Sequence, residues 1–153
     1  MIRFEVIKDV FTVKDEIQGL LELHYQELTL DKNVIKLDPD WHRYQTLLKE
    51  NKLCIVVARD DDLLVGYSVF FLDWHIHYKN NMFARNDVLF LAPSHRQGMT
   101  GIKLIKYSEM VLEALNVSKI TWHVKYSKDF RKILHRLGYQ DEEVVVSRAL
   151  KEL

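Results

Sequence analysis

Residues 86–115, NDVLFLAPSHRQGMTGIKLIKYSEMVLEAL, constrain the fold of this chain more than any other stretch. Val88, Leu89, Phe90 and Leu91 form an apolar run that Pro93 ends, and a short polar loop separates it from a long amphipathic segment. The pattern predicts strand, loop, helix. Arg96, Gln97, Gly98, Met99, Thr100 and Gly101 fall where the helix begins, so unpaired backbone amides and the positive end of the helix dipole converge there. Such a spot suits phosphate. Gly98 and Gly101 allow close approach of the backbone to a ligand, and Arg96 is placed either to grip a phosphate oxygen or to set the loop.

These residues resemble motif A of the GNAT superfamily of acyl-CoA-dependent N-acyltransferases: Arg or Gln, two residues, Gly, one residue, then Gly or Ala. Arg96 and Gly101 match its ends, and Pro93 stands three residues before Arg96, where that family often has it. The fourth position holds Met99, with the glycine displaced to Gly98. The order of elements on either side extends the similarity over nearly the whole chain, most closely to small GNAT-like proteins of the kind encoded by bacteriophages. The resemblance implies that acetyl-CoA is the cosubstrate, with the pantetheine arm along Leu89, Phe90 and Leu91 and the pyrophosphate on the loop amides. It further implies transfer to an amine by direct attack, without a metal, and leaves room for a homodimer.

A chain of 153 residues can bury one proper core, so a single domain over residues 1–153 is expected. Lys plus Arg and Asp plus Glu are both 22, and this balance gives no reason to infer nucleic acid or an anionic membrane as partner. The lone Cys54, inside LCIVVA, excludes an internal disulfide and suits a reducing cytoplasm. No apolar run is long enough to span a bilayer, and no secretory leader is apparent.

Alternation at Ile2, Phe4 and Val6 predicts a first strand, and the stripe Ile17, Leu20, Leu21, His24 and Leu28 a helix over about 14–29 with His24 inward. Asp38 followed by Pro39 predicts the start of a second helix, running to about residue 50, with Trp41, Tyr44 and Leu48 on one side. By the resemblance, residues 30–41 wall the acceptor cleft. Strands over 52–59 and 63–75 follow, joined by the solvated turn Asp60, Asp61, Asp62. The helix from Thr100 should bury Leu104, Ile105, Val111, Leu112 and Leu115, with Asn116 as its left-handed terminator. A strand over 119–125, a last helix capped by Ser127 and closed by Gly138, and a valine-rich strand over 142–150 complete the chain. The order describes a mixed α/β domain with a central, largely antiparallel sheet flanked by helices, the GNAT-like acyltransferase fold. A plain Rossmann fold does not fit, because the glycine loop follows a hairpin instead of the first strand.

Period two along Asp73, Trp74, His75, Ile76 and His77 places Asp73, His75 and His77 on one strand face. Three readings stay open: a divalent metal site, a proton relay beside the acceptor, or a polar strand end. Asp87 lies nine residues before Arg96, where related enzymes often carry a glutamate base, and the same periodicity puts it on the face of Leu89 and Leu91; Asn86 and Asp87 also read simply as the start of a strand after a turn. It competes for the role of general base with His75 and His77, which titrate near neutrality without tuning. The family's usual general acid is a tyrosine, but Leu134 occupies that position, which leaves Tyr126 and His123 as the nearest substitutes. Two rivals follow from these departures and from Lys125, Lys128, Arg131, Lys132 and Arg136: a non-catalytic binding or inhibitory protein, and an acyltransferase whose acceptor is nucleic acid. The acceptor itself, small molecule, protein or nucleic acid, is left open.

Overall fold

A computed structural model describes residues 1–151. Its five-stranded sheet runs in chain order: β1 Ile2–Val6, β2 Leu53–Asp60, β3 Leu63–Trp74, β4 Met82–Leu91 and β5 Val117–Thr121. The first three pairings are antiparallel and the last, β4 with β5, is parallel. Helices α1 Lys14–Leu28 and α2 Trp41–Lys49 cover one face, α3 Thr100–Ala114 covers the other, and the short α4 Arg131–Arg136 follows β5. This is the mixed α/β architecture expected of a GNAT-like chain.

The apolar run of β2 explains the three layers. Ile55 and Val57 pack under α1 and α2, whereas Cys54, Val56 and Ala58 pack under α3, so alternate side chains feed two cores and the run is apolar throughout. On the α3 side Leu104 and Leu112 are fully buried, and cutting either to Ala should cost about 2–5 kcal/mol. Ser108, on the same helix face, meets Ser68 of β3 at 3.0 Å. Leu115, expected inside, stands at the helix end and is 41% exposed. Asn116 (φ 63°) and Gly138 (φ 96°) take the left-handed conformations that their positions predict.

Several boundaries differ from the sequence expectation. Helix α2 is capped by Asp40, not Asp38: the Asp40 carboxylate accepts the Arg43 amide at 3.0 Å, and Pro39 lies before the helix. The last helix is not capped by Ser127, which lies in a separate single turn; Asp129 accepts the Arg131 amide at 3.0 Å instead. β3 stops at Trp74, and residues 75–80 turn back into β4, which begins at Met82 well before the expected apolar run. β5 is shorter than expected and ends at Thr121. The valine-rich stretch 142–150 forms no strand; Val144, Val145 and Val146 are 71%, 71% and 89% exposed, with no sheet partner among the described residues. Among the described residues no helix is long and apolar enough to cross a membrane.

Candidate active site

The site is organised by an irregularity in β4. Val88 pairs with Val69 and Asn86 pairs with Phe70, so Asp87 is one residue too many for the ladder and forms a β-bulge. Asn86 holds it in place. Its side chain is 1% exposed, and its amide donates to the carbonyls of Val69 (3.2 Å) and Val88 (3.0 Å). The bulge corrects the face count for Asp87: the extra residue breaks period two, so Asp87 faces the α2 side with Val69 and Phe71, while Leu89 and Leu91 pack on the α3 side. It also lies inside a strand, not at the start of one.

Asp87 opens into a cavity of about 170 Å³ between α2 and the sheet, walled by Tyr44, Leu47, Leu53, Val69 and Phe71, with Asp40 and Arg43 on the α2 rim. The residue keeps water contact through the cavity mouth, yet the crowding around it raises its pKa above the usual carboxylate value, against the lowering pull of Arg85 and His123. Among the described residues its carboxylate accepts no hydrogen bond. Of residues 30–41, expected to touch the acceptor, Asp40 is the one that reaches this cavity.

Beyond Arg85, which pairs with Thr121, β4 has no strand on its β5 side. The two parallel strands part there, leaving the edge of residues 86–91 open on the side away from β3. That cleft leads to the loop before α3. Gly98 supplies the left-handed turn (φ 83°), and Met99 sits in the right-handed helical region (φ −100°), so the displaced glycine carries no backbone penalty at Met99. No described residue accepts from the amides of Gln97, Gly98, Met99, Thr100, Gly101 or Ile102. A Cβ added at Gly98 would meet nothing within 4 Å, and at Gly101 only Leu91 Cδ2 at 3.9 Å. Free amides, open space and a helix N-terminus together fit a pyrophosphate.

Arg96 is occupied within the protein. Its Nε donates to the Leu91 carbonyl (2.7 Å), its two terminal nitrogens form a fork on Glu27 of α1 (2.7 Å each), and the guanidinium lies over the Phe90 ring at 5.3 Å. Of the two roles open to it, setting the loop is the one its contacts serve. Glu27 also receives Lys128 at 3.4 Å, so one carboxylate ties α1, the loop and the turn after β5 together. Beneath Phe90, His24 stacks on its ring (5.0 Å) and shares a hydrogen bond with the Tyr67 hydroxyl (2.8 Å); burial drives its pKa down to about 4. The inward histidine of the sequence is a half-buried partner of Tyr67 that burial holds toward its neutral form.

His75 and His77 do not share a strand face with Asp73, because the strand has already turned. The His77 amide donates to His75 Nδ1 (3.1 Å), and the His75 ring packs on Phe83 (4.7 Å) and Tyr78 (4.6 Å). The His75 amide bonds Asn81, six residues before Asp87, which places the histidines on the order of 20 Å along the strand from it. Among the described residues no group of three His, Cys, Asp or Glu is placed to hold a metal ion. Tyr126 is 78% exposed, with Arg131 over its ring at 5.9 Å, and Leu134 is buried. His123 is the substitute whose charge reaches Asp87. The basic residues near α4 are partly neutralised: Lys128 by Glu27, and Arg131 by Asp129 and Asp141. Asn86, Glu27 and Arg43 are functional candidates that periodicity and motif spacing do not single out.

The profile of the Acetyltransferase (GNAT) family matches residues 17–139, most of the chain. The chain belongs to the GNAT family. It is an N-acyltransferase that takes its acetyl group from acetyl-CoA. No curated protein matches the sequence. Solved acetyltransferase structures share its fold at low identity. An aminoglycoside acetyltransferase from an uncultured soil metagenomic sample, in complex with sisomicin, is 16% identical with a TM-score of 0.77, over 98% of this chain and 97% of that one. A ribosomal-protein-alanine N-acetyltransferase from Brucella melitensis is 19% identical (TM-score 0.72; 97% and 99% covered). A predicted acetyltransferase from Clostridium acetobutylicum, solved with acetyl-CoA, is 15% identical (TM-score 0.69; 98% and 97% covered).

Proposed function

We propose that this GNAT enzyme acetylates an amine held in the α2 cavity, with Asp87 as general base. The bulge carries the reading, because it turns a strand carboxylate into the mouth of a cavity beside the open β4 edge. Leu89, Phe90 and Leu91 line the pantetheine, and the amides of Gln97, Gly98, Met99, Thr100 and Gly101 take the pyrophosphate, with Arg96 bracing the loop. Acetyl-CoA supplies an activated acyl group. The amine nitrogen attacks the thioester carbon, the new C–N bond forms, and an amide of the open edge donates to the developing oxyanion. Asp87 removes the amine proton, directly or through water. The C–S electron pair leaves on sulfur, and a thiol of pKa about 8.5 is a tolerable leaving group without a dedicated acid. His123, close enough to act on Asp87, is the candidate to return a proton; His75 and His77 lie at the far end of the strand.

The single-domain organisation of residues 1–153, a cytoplasmic location and closeness to small phage-encoded members belong to the same reading. The buried, free Cys54 supports the cytoplasmic location, and the single five-stranded sheet supports the single domain. A homodimer is supported by the exposed valines of residues 144–146 and the free outer edge of β5. The test of the base is Asp87→Asn. The variant should lower kcat/KM at least about tenfold with acetyl-CoA affinity nearly unchanged. Because the Asp87 pKa is raised, wild-type activity should fall on the acid side as the carboxylate protonates, and the variant should lose that limb. Equal activity of both proteins from pH 6 to 9 would exclude Asp87.

A further inference from the structure

The α2 cavity carries charges that the transfer reaction does not use. Arg43 stands on its rim, and Arg85 lies close enough to act on Asp87 while stacking on Phe71 at 5.4 Å. Among the described residues neither has a carboxylate within ion-pair distance, which is also true of Arg136 and Arg148, whereas Arg3, Arg59, Arg96 and Arg131 do. Asp40 does not serve Arg43 in that way; it accepts the Arg43 backbone amide as a helix cap, and the guanidinium makes no hydrogen bond to a described residue. A guanidinium without a partner beside a cavity is a fork for carboxylate or phosphate.

The surroundings decide what else the occupant must be. The cavity is about 170 Å³, close to the roughly 150 Å³ that holds a benzene ring, so the occupant is small. Its walls between Arg43 and Asp87 are apolar, formed by Tyr44, Leu47, Val69 and Phe71, and suit a short hydrocarbon spacer or a ring. Arg43 attracts an anion and repels a second ammonium group, while Asp87 attracts the amine.

We propose that the acceptor is a small primary amine whose far end carries an anion, a carboxylate or a phosphate. Arg43 holds the anion while the amine lies at Asp87. This rests on the cavity being the acceptor site.

The test is binding of four probes, 4-aminobutyrate, O-phosphoethanolamine, butylamine and spermidine, to the protein with coenzyme A present, followed by NMR titration. At least one of the two anion-tailed amines should bind best, and the stronger of them identifies the anion. Arg43→Gln should weaken that probe at least about tenfold, the low side of a charged hydrogen bond, and leave butylamine unchanged. Arg43→Lys should fall between. Butylamine or spermidine binding as well as the anion-tailed amines would overturn the proposal, as would equal binding by Arg43→Gln and wild type, or no binding of either anion-tailed amine at millimolar concentration. Acetyl-CoA calorimetry on the same proteins, before coenzyme A is added, separates the failures. Normal acetyl-CoA binding beside a failed amine arm sinks the acceptor class alone, whereas absent acetyl-CoA binding sinks the site reading beneath it.

Discussion

Acid should destabilise this enzyme through His24 before it touches most carboxylates. Burial lowers the His24 pKa to about 4, Lys125 and Arg96 push it further in the same direction, and Glu27 opposes them. In the unfolded chain the imidazole takes its proton near pH 6.5. The unfolded state therefore binds more protons than the folded state between those values, and stability falls as pH drops through that window. The limiting slope is about 1.4 kcal/mol per pH unit, which gives a loss on the order of 3 kcal/mol by pH 4. Urea unfolding at pH 7, 6, 5 and 4.5 of wild type and His24→Phe measures it. The variant should lose this slope and be weaker at pH 7 by about 1–3 kcal/mol, because the fully buried Tyr67 hydroxyl loses its partner. Adding Tyr67→Phe should recover part of that loss. Carboxylates held below their ordinary range, such as Glu27 beside Arg96, contribute above the unfolded carboxylate pKa and lose that contribution only at lower pH, equally in both proteins. Parallel pH slopes for wild type and His24→Phe would refute the reasoning.

Two glycines give sharper local tests. A Cβ at Gly66 would lie 2.7 Å from the Phe90 carbonyl and 2.9 Å from Leu91 Cδ1, so Gly66→Ala should cost about 1–3 kcal/mol in urea unfolding and weaken acetyl-CoA by displacing the β4 edge. At Gly98 the space is open but φ is positive, so Gly98→Ala should weaken acetyl-CoA by about tenfold, near 1.4 kcal/mol, through strain alone. Met99→Ala, at a right-handed position, should bind almost as wild type in the same titration.

What was legible in the sequence was whatever local chemistry decides alone. LCIVVA must be buried on two faces, and the strand, loop and helix of residues 86–115 follow from apolar pattern and glycine placement. Asn116 and Gly138 stop helices because left-handed backbone favours them. The distance from Arg96 singles out Asp87 as a candidate, but period two puts it on the wrong face, because a bulge adds a residue that no periodicity reveals and the buried Asn86 amide holds it there. Helix α2 started two residues late for a similar reason: Asp38 and Asp40 are equal candidates until the chain fixes which carboxylate reaches an amide. The strand expected over residues 142–150 failed because valine content reports a preference for sheet, not the presence of a partner. Glu27 escaped notice because its role depends on three elements meeting.

The most direct test of the account is titration calorimetry with acetyl-CoA on the intact protein, accompanied by thermal unfolding. Saturable binding to one site should appear, and ligand at about one hundred times its Kd should stabilise the fold by about 2.7 kcal/mol. No heat and no thermal stabilisation at millimolar acetyl-CoA would contradict the open β4 edge and the loop of residues 97–101 as a coenzyme site.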